Sequence, residues 1–263
     1  MSATETTAVK NGHFCWTDLA SGDIQKAEEF YSQLFGWSVN HVDMGGGRTY
    51  TLFKRGEDEI CGAYQMSPEQ AKMGISSFWT CYVKVKNARE SSAKAAKFGA
   101  TVLVEPFDMG TKGRMSVLQD PNQAIVALWQ DVASQSVSVS GTGSICWYEL
   151  MASDMDVANI FYSNLLGWRR QRMEFPGLDY SVLMKDNEGV GGMMPLPEDA
   201  VSNGAIPHWL FYVSVDDCDQ TVARAEELGA SLLFPATDFE NVGRGAILAD
   251  PTGASVGVLR LNN

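Results

Sequence analysis

The feature of this sequence that most limits its possible folds is an internal duplication. Residues 12–37 read GHFCWTDLASGDIQKAEEFYSQLFGW, and residues 143–168 read GSICWYELMASDMDVANIFYSNLLGW, so the two segments align without a gap. Repetition over this length is typical of a chain that contains one domain twice. The sequence therefore predicts a disordered lead-in over 1–11, a first domain over 12–131, a linker over 132–142 and a second domain over 143–261.

Each half contains a weaker repeat of its own. Four times a short apolar stretch leads into a helix-like segment, at Trp16, Trp79, Trp147 and Trp209. Apolar residues then recur at helical spacing, and β-type runs such as TYTLFKR follow. The predicted unit is a strand, a helix and three strands (βαβββ), about 60 residues long. One such unit cannot cover the face of its own sheet, so we expect an α+β fold in which two units pack together in each domain.

The charge balance and the lack of long apolar runs exclude several classes of partner. The chain has 20 Lys and Arg residues against 32 Asp and Glu residues, a formal net charge of −12. Such a surface repels nucleic acid and anionic membranes. The sequence has no apolar run of about 18 residues that would span a bilayer, and its N-terminus lacks the apolar segment of a secretory signal. Five cysteines without a Cys-x-x-Cys pair are typical of reduced thiols, so we expect a cytoplasmic protein.

Several local motifs point to a known superfamily. They are Trp147-Tyr148-Glu149-Leu150, His208-Trp209, Gly243-Arg244 and Asp250-Pro251-Thr252-Gly253-Ala254. With the paired βαβββ units, they resemble the vicinal oxygen chelate superfamily of glyoxalases, bleomycin-resistance proteins and extradiol dioxygenases, and in particular its two-domain glyoxalase-like branch. The resemblance implies tandem glyoxalase/bleomycin-resistance domains that bind a small molecule in a cleft. It also implies a possible lyase or dioxygenase activity that uses a divalent metal.

The sequence departs from the metal-binding pattern that this resemblance implies. Catalytic members hold the metal on His, Glu or Gln side chains from the first and last strands of a module. The corresponding positions here are Trp16, Trp147, Trp209, Ala127 and Gly257. Indole nitrogen only donates hydrogen bonds, and Ala and Gly have no ligand atom in their side chains. We therefore expect no metal site. His208 is the one histidine at the first strand of a module. If the alignment with the metal-binding pattern is shifted, the alternative is a bound divalent metal.

Two carboxylates are the candidate catalytic residues. Strand alternation places Asp18 on the same face as Trp16, and Glu149 on the same face as Trp147. A carboxylate beside an indole in an apolar cleft would have a raised pKa and would act as a general base, or would pair with a cationic ligand. The alternative is a structural carboxylate that pairs with an arginine or lies at a solvated strand end.

Six aromatic residues are the candidate ligand-binding residues, since flat rings stack on planar or cationic molecules. They are Trp16, Trp79, Trp147, Trp209, Tyr50 and Tyr180. The alternative is that the tryptophans belong to the core. We predict a monomer or homodimer that binds a small apolar or aromatic molecule in an aromatic-lined cleft without a cofactor. A metal-dependent lyase or dioxygenase and a non-catalytic scaffold with filled clefts are the alternatives, so the sequence leaves enzymatic activity open.

Overall fold

The computed structural model describes residues 6–132, 136–175, 177–202 and 204–262. In this part of the chain, strands form two eight-stranded mixed sheets, one in each half, and a short two-stranded ribbon. The elements of the first half are β1 (Thr6–Ala8), β2 (Phe14–Ser21), α1 (Ile24–Phe35), β3 (Ser38–Asp43), β4 (Thr49–Arg55), β5 (Asp58–Gln65), α2 (Pro68–Lys72), β6 (Phe78–Lys84), α3 (Ala88–Lys97), β7 (Thr101–Asp108), β8 (Gly113–Gln119) and β9 (Ile125–Asp131). Those of the second half are β10 (Val137–Val139), β11 (Ile145–Ala152), α4 (Met155–Leu166), β12 (Arg169–Phe175), β13 (Leu178–Lys185), β14 (Glu188–Pro195), α5 (Glu198–Ser202), β15 (His208–Ser214), α6 (Cys218–Glu227), β16 (Ser231–Phe239), β17 (Gly243–Ala249) and β18 (Ser255–Leu261).

The strand order confirms the predicted tandem βαβββ architecture. The first sheet runs β3-β4-β5-β2-β6-β9-β8-β7, and the second runs β12-β13-β14-β11-β15-β18-β17-β16. In the first sheet, the first strands of the two modules, β2 and β6, pair antiparallel with each other. Each of them also pairs in parallel with the last strand of its own module, β5 or β9. The second sheet repeats this arrangement through β11 and β15.

The first helix of each half begins and ends at residues that the two repeats share. Asp23 caps α1 by accepting a hydrogen bond from the Lys26 amide, and Asp154 caps α4 in the same way. Both helices end at a glycine in the left-handed conformation, Gly36 with φ of 69° and Gly167 with φ of 73°. An aspartate at the start satisfies free amides, and a glycine at the end adopts a positive φ without steric cost.

The buried cores lie between the two halves. One core joins α1 and the helix-side residues of β2 and β5 to β15, α6 and β18 of the other half. The second core joins α3, β8 and β9 to α4 and β11. The first module (β2 to β5) is thus covered by the fourth (β15 to β18). The second module (β6 to β9) is covered by the third (β11 to β14). The sequence predicts that two modules of one domain cover each other, but in the structure those two join edge to edge in one sheet, which leaves their helix-bearing faces to be buried by the other half.

Matching hydrogen bonds cross this contact. The Tyr31 hydroxyl donates to Asp250 Oδ2 at 2.7 Å and accepts from Trp79 Nε1 at 3.0 Å. The counterparts in the other half are a bond of 2.9 Å from Tyr162 to Asp120 Oδ2 and one of 2.7 Å from Trp209 Nε1 to Tyr162. The Phe14 ring also stacks on Tyr148 of the other half, with ring centroids 4.0 Å apart. The Tyr31 and Tyr162 hydroxyls and the Trp79 and Trp209 indoles are therefore paired, as burial requires.

Parts of the predicted lead-in and linker are ordered. The lead-in strand β1 pairs antiparallel with β10 of the linker, and the Val9 amide donates to the Ser136 carbonyl. Two polar segments thereby satisfy each other's backbone groups. The expected disorder of 1–11 is thus wrong for residues 6–8, while residues 1–5 and 133–135 lie outside the described part of the chain. Among the described residues, there is no helix long and apolar enough to cross a membrane.

Replacing Tyr31 or Tyr162 with phenylalanine tests the contact between the halves. Tyr31→Phe leaves the Asp250 carboxylate and the Trp79 indole each without one partner in a site where Tyr31 is 0% exposed. We expect the free energy of unfolding in urea to fall by about 1–3 kcal/mol, and Tyr162→Phe to have the same effect. The control is Tyr148→Phe, because the Tyr148 hydroxyl has no hydrogen-bond partner among the described residues. Equal stabilities for Tyr31→Phe and the control would contradict this assignment.

Candidate functional site

The sheet faces opposite the helices form the candidate clefts. In the second half, a cavity of about 600 Å³ lies between the β12–β13 hairpin and Glu240, which follows β16. The strands β12 and β16 are the two outer strands of that sheet. Residues near both ends of the strand order thus border one space, as expected of a sheet that curls around the face without helices. We call this face of each sheet the cleft face, and the opposite one the helix face.

A hydrogen-bonded network occupies the cleft face of the first sheet. Trp16 Nε1 donates to the Tyr50 hydroxyl at 2.8 Å. Tyr50 donates to Asp18 Oδ2 at 3.3 Å, and Tyr82 donates to the same oxygen at 3.0 Å. Asp18 is only 6% exposed, whereas Trp16 and Tyr50 are half-buried. The result is a buried carboxyl group beneath partly exposed aromatic rings.

The second sheet repeats this network with a longer acid. Trp147 Nε1 donates to the Tyr180 hydroxyl at 2.9 Å, and Tyr212 donates to Glu149 Oε1 at 2.8 Å. Glu149 is 6% exposed, and the Tyr180 hydroxyl lies near enough to favour its ionised form. The structure thus brings Trp16, Asp18 and Tyr50 together in one cleft, and Trp147, Glu149 and Tyr180 in the other.

Glycines on the neighbouring strands make room for the tyrosines. A Cβ atom at Gly62 would lie 1.9 Å from the Tyr50 hydroxyl oxygen, and one at Gly192 would lie 1.9 Å from that of Tyr180. At Gly257 a Cβ atom would lie 2.2 Å from the Tyr212 ring. Any side chain at these positions would displace a member of the network, since core atoms cannot overlap. Sequence reasoning missed Tyr82 and Tyr212, although a tyrosine at the same strand position in both repeats was a usable signal.

Burial controls the protonation of both acids. Loss of solvation raises the pKa of Asp18 from 3.8 to about 7, although the hydrogen bonds from Tyr82 and Tyr50 oppose the shift. Burial also raises the pKa of Glu149, against hydrogen bonds from Tyr212 and Tyr180. A neutral carboxyl group can donate one hydrogen bond as well as accept others. Near neutral pH, Asp18 is therefore able both to hold and to release a proton.

Trp79 and Trp209 lie elsewhere. Each projects from the helix face and donates its indole proton to the buried tyrosine, Tyr31 or Tyr162, at the contact between the halves. Strand register explains this placement, because Trp79 pairs with Leu19 of the helix face while Tyr82 pairs with Trp16 of the cleft face. The structure therefore separates these two tryptophans from the other predicted ligand-binding residues.

The residues of the clefts do not fit a divalent metal. The two superfamily ligand positions hold Trp16 and Trp147 on the first strands, with Ala127 and Gly257 on the last strands. Each cleft offers one carboxylate, whose neighbours are hydroxyl groups that donate to it. His208 Nδ1 lies 2.7 Å from the Ile206 carbonyl oxygen, and burial lowers the pKa of this imidazole. The described residues contain no group of three or more His, Cys, Asp or Glu side chains that could hold a metal.

Replacing Asp18 with asparagine tests its raised pKa. Between about pH 4 and 7 the folded protein holds a proton that the unfolded chain has lost, so stability must fall as the pH rises through this window. The amide that replaces the carboxyl group carries no charge at any pH. We expect Asp18→Asn to exceed the wild type by about 2–4 kcal/mol at pH 8, and to match it within about 1 kcal/mol near pH 4. Urea unfolding at both pH values measures the difference, and a constant difference between the two proteins would contradict the raised pKa.

Comparisons with known proteins agree with this architecture. Residues 12–128 and 144–258 match the family model of the Glyoxalase/Bleomycin resistance protein/Dioxygenase superfamily. The "Putative glyoxylase CFP32" of Mycobacterium tuberculosis is 35% identical over 250 residues, which cover 93% of each chain. The "Anthracycline biosynthesis protein DnrV" of Streptomyces peucetius is 32% identical over 257 residues, covering 94% of this chain and 92% of the relative.

Solved structures show the same fold at low sequence identity. The Mn(II)-bound glyoxalase from Novosphingobium aromaticivorans superposes with a TM-score of 0.64 at 13% identity, over 95% of this chain and 82% of that one. The 2,3-dioxygenase LapB from Pseudomonas sp. KL28 gives a TM-score of 0.63 at 11% identity, over 98% and 94%. The chain therefore belongs to the glyoxalase/bleomycin resistance protein/dioxygenase superfamily, with one family domain in each half.

Proposed function

We propose that this protein binds a small planar aromatic or otherwise apolar molecule in its clefts, and that it does so without a resident metal. The observation that carries the proposal is the repeated Trp–Tyr–carboxyl–Tyr network, which places a buried acid beneath partly exposed rings in both clefts. The indoles of Trp16 and Trp147 form stacking surfaces. In the first cleft, the Asp18 carboxyl group below Trp16 is the polar anchor that orients the bound molecule.

The geometry of Asp18 supports this anchoring role. Both hydrogen bonds that it accepts from described residues end on Oδ2. Its other oxygen, Oδ1, has no such partner, yet it is not among the sealed, unpaired polar atoms of the described chain. Oδ1 is therefore not fully sealed, and a small shift of its surroundings would let a ligand reach it. A protonated carboxyl group there donates to a carbonyl oxygen or accepts from a hydroxyl group of a ligand.

The names of two relatives support an aromatic ligand. The relatives DauV and DnrV are anthracycline biosynthesis proteins. Anthracyclines are planar aromatic compounds, the kind of molecule that an indole wall fits. The side chains of the clefts support the proposal that no metal is bound, because the superfamily's ligand positions carry Trp, Ala and Gly. The net charge of −12 and the free cysteines further support a cytoplasmic protein without a nucleic-acid partner.

One observation favours a second candidate, metal-free acid–base catalysis. A pKa of about 7 suits Asp18 to exchange a proton with a bound molecule at neutral pH. Tyr50 and Tyr82 would stabilise the carboxylate after it releases the proton to the ligand.

Removing both stacking surfaces tests the proposed function. The probe is 2-naphthol, and its dissociation constant is measured by titration calorimetry. We expect the double variant Trp16→Ala/Trp147→Ala to bind it at least about tenfold more weakly than the wild type, because a stacking surface contributes about 1–3 kcal/mol. Ile160→Ala is the control, since Ile160 is exposed on α4, outside both clefts. No binding by the wild type, or equal binding by the double variant, would contradict the proposal.

A further inference from the structure

The two clefts differ at the positions around their shared network. On the cleft face of the second sheet, apolar side chains form a cluster that packs beside Trp147; its members include Met151, Leu210, Tyr212, Leu259, Met194 and Ile247. The cluster fills the space next to Glu149 with groups that cannot form strong hydrogen bonds. Leu210 is the residue directly opposite Glu149 on the neighbouring strand.

The first cleft has polar groups at the matching positions. Thr80 lies directly opposite Asp18 on β6, where the second cleft has Leu210. Tyr64 pairs with Tyr50 on β5, where the second cleft has Met194. Trp129 takes the place of Leu259. The duplication therefore preserved the acid, two tyrosines and one tryptophan while the surrounding side chains diverged.

The polar groups of the first cleft are free to bind a ligand. Among the described residues, neither the Thr80 hydroxyl nor the Tyr64 hydroxyl has a hydrogen-bond partner. Neither oxygen is among the fully sealed, unpaired polar atoms, although Thr80 is only 5% exposed. With Asp18 Oδ1, they are three unpaired groups on the cleft faces of the adjacent strands β5, β2 and β6. Thr80 lies directly opposite Asp18, and Tyr64 lies opposite Ala20, two residues further along β2. A ligand that leaves such groups unpaired would bind weakly.

We propose, on the basis of the function proposed above, that the two clefts select different ligand classes. The first cleft takes a planar aromatic molecule that carries hydroxyl or carbonyl oxygens along one edge, which pair with Asp18, Thr80 and Tyr64. The second cleft takes an apolar molecule of the same shape and does not discriminate by edge oxygens. The first cleft is therefore the one that determines specificity.

The test compares 2-naphthol with naphthalene, which differ by one hydroxyl group. Trp147→Ala isolates the first cleft, and Trp16→Ala isolates the second. We expect the first cleft to bind 2-naphthol about tenfold or more tightly than naphthalene, and the second cleft to bind both within about threefold. On the Trp147→Ala background, Thr80→Val and Tyr64→Phe each remove one hydroxyl and should bring the ratio of the two dissociation constants toward one.

Two further variants control and reverse the effect. Tyr148→Phe, which removes a hydroxyl group at the contact between the halves, should leave the ratio of the two dissociation constants of the first cleft unchanged. Leu210→Thr on the Trp16→Ala background should create a preference for 2-naphthol in the second cleft. Equal binding of both probes by the first cleft, or a preference that survives loss of both hydroxyls, would overturn this inference alone. Failure of the wild type to bind either probe would overturn the proposed function with it.

Discussion

A sheet that carries helices on one side must bury that side, and here each module buries it against a module of the other half. The two cores alternate between the halves, with the first module against the fourth and the second against the third. Neither half has a complete core without its partner, so the duplication is a structural requirement. In the buried pairs Tyr31–Asp250 and Tyr162–Asp120, a hydroxyl and a carboxylate that this contact removes from water satisfy each other.

The two faces of each sheet have different roles, and this determines which residues form the candidate site. Because the helix faces are used for the contact between the halves, the cleft faces are not buried by it. The tryptophans divide accordingly: Trp79 and Trp209 support the cores, while Trp16 and Trp147 line the clefts. A buried acid lies on the cleft face of each sheet, and its charge is controlled by burial and tyrosine hydroxyls.

Divergence after duplication is visible at the level of single side chains. Both clefts retain a glycine that admits a tyrosine hydroxyl, at Gly62 and Gly192. Around this common centre, the position that Thr80 occupies in the first repeat is occupied by Leu210 in the second. The first cleft is therefore polar and the second is apolar. Hydrogen-bonding capacity separates ligands more sharply than shape alone, because an unpaired buried polar group costs more than a missing methylene.

The repeat, the helical spacing and the strand alternation by themselves determined the four βαβββ modules and the shared face of Asp18 and Trp16, because these are local patterns. These patterns do not determine which face of a strand packs against the helices. The sequence therefore predicts Trp79 in the cleft, although it lies on the helix face of the sheet. The tertiary structure alone decided that Tyr82 and Thr80 join Asp18, since this depends on the pairing of β2 with β6. It also decided that each core forms between halves, because the same apolar pattern fits a partner module from either one.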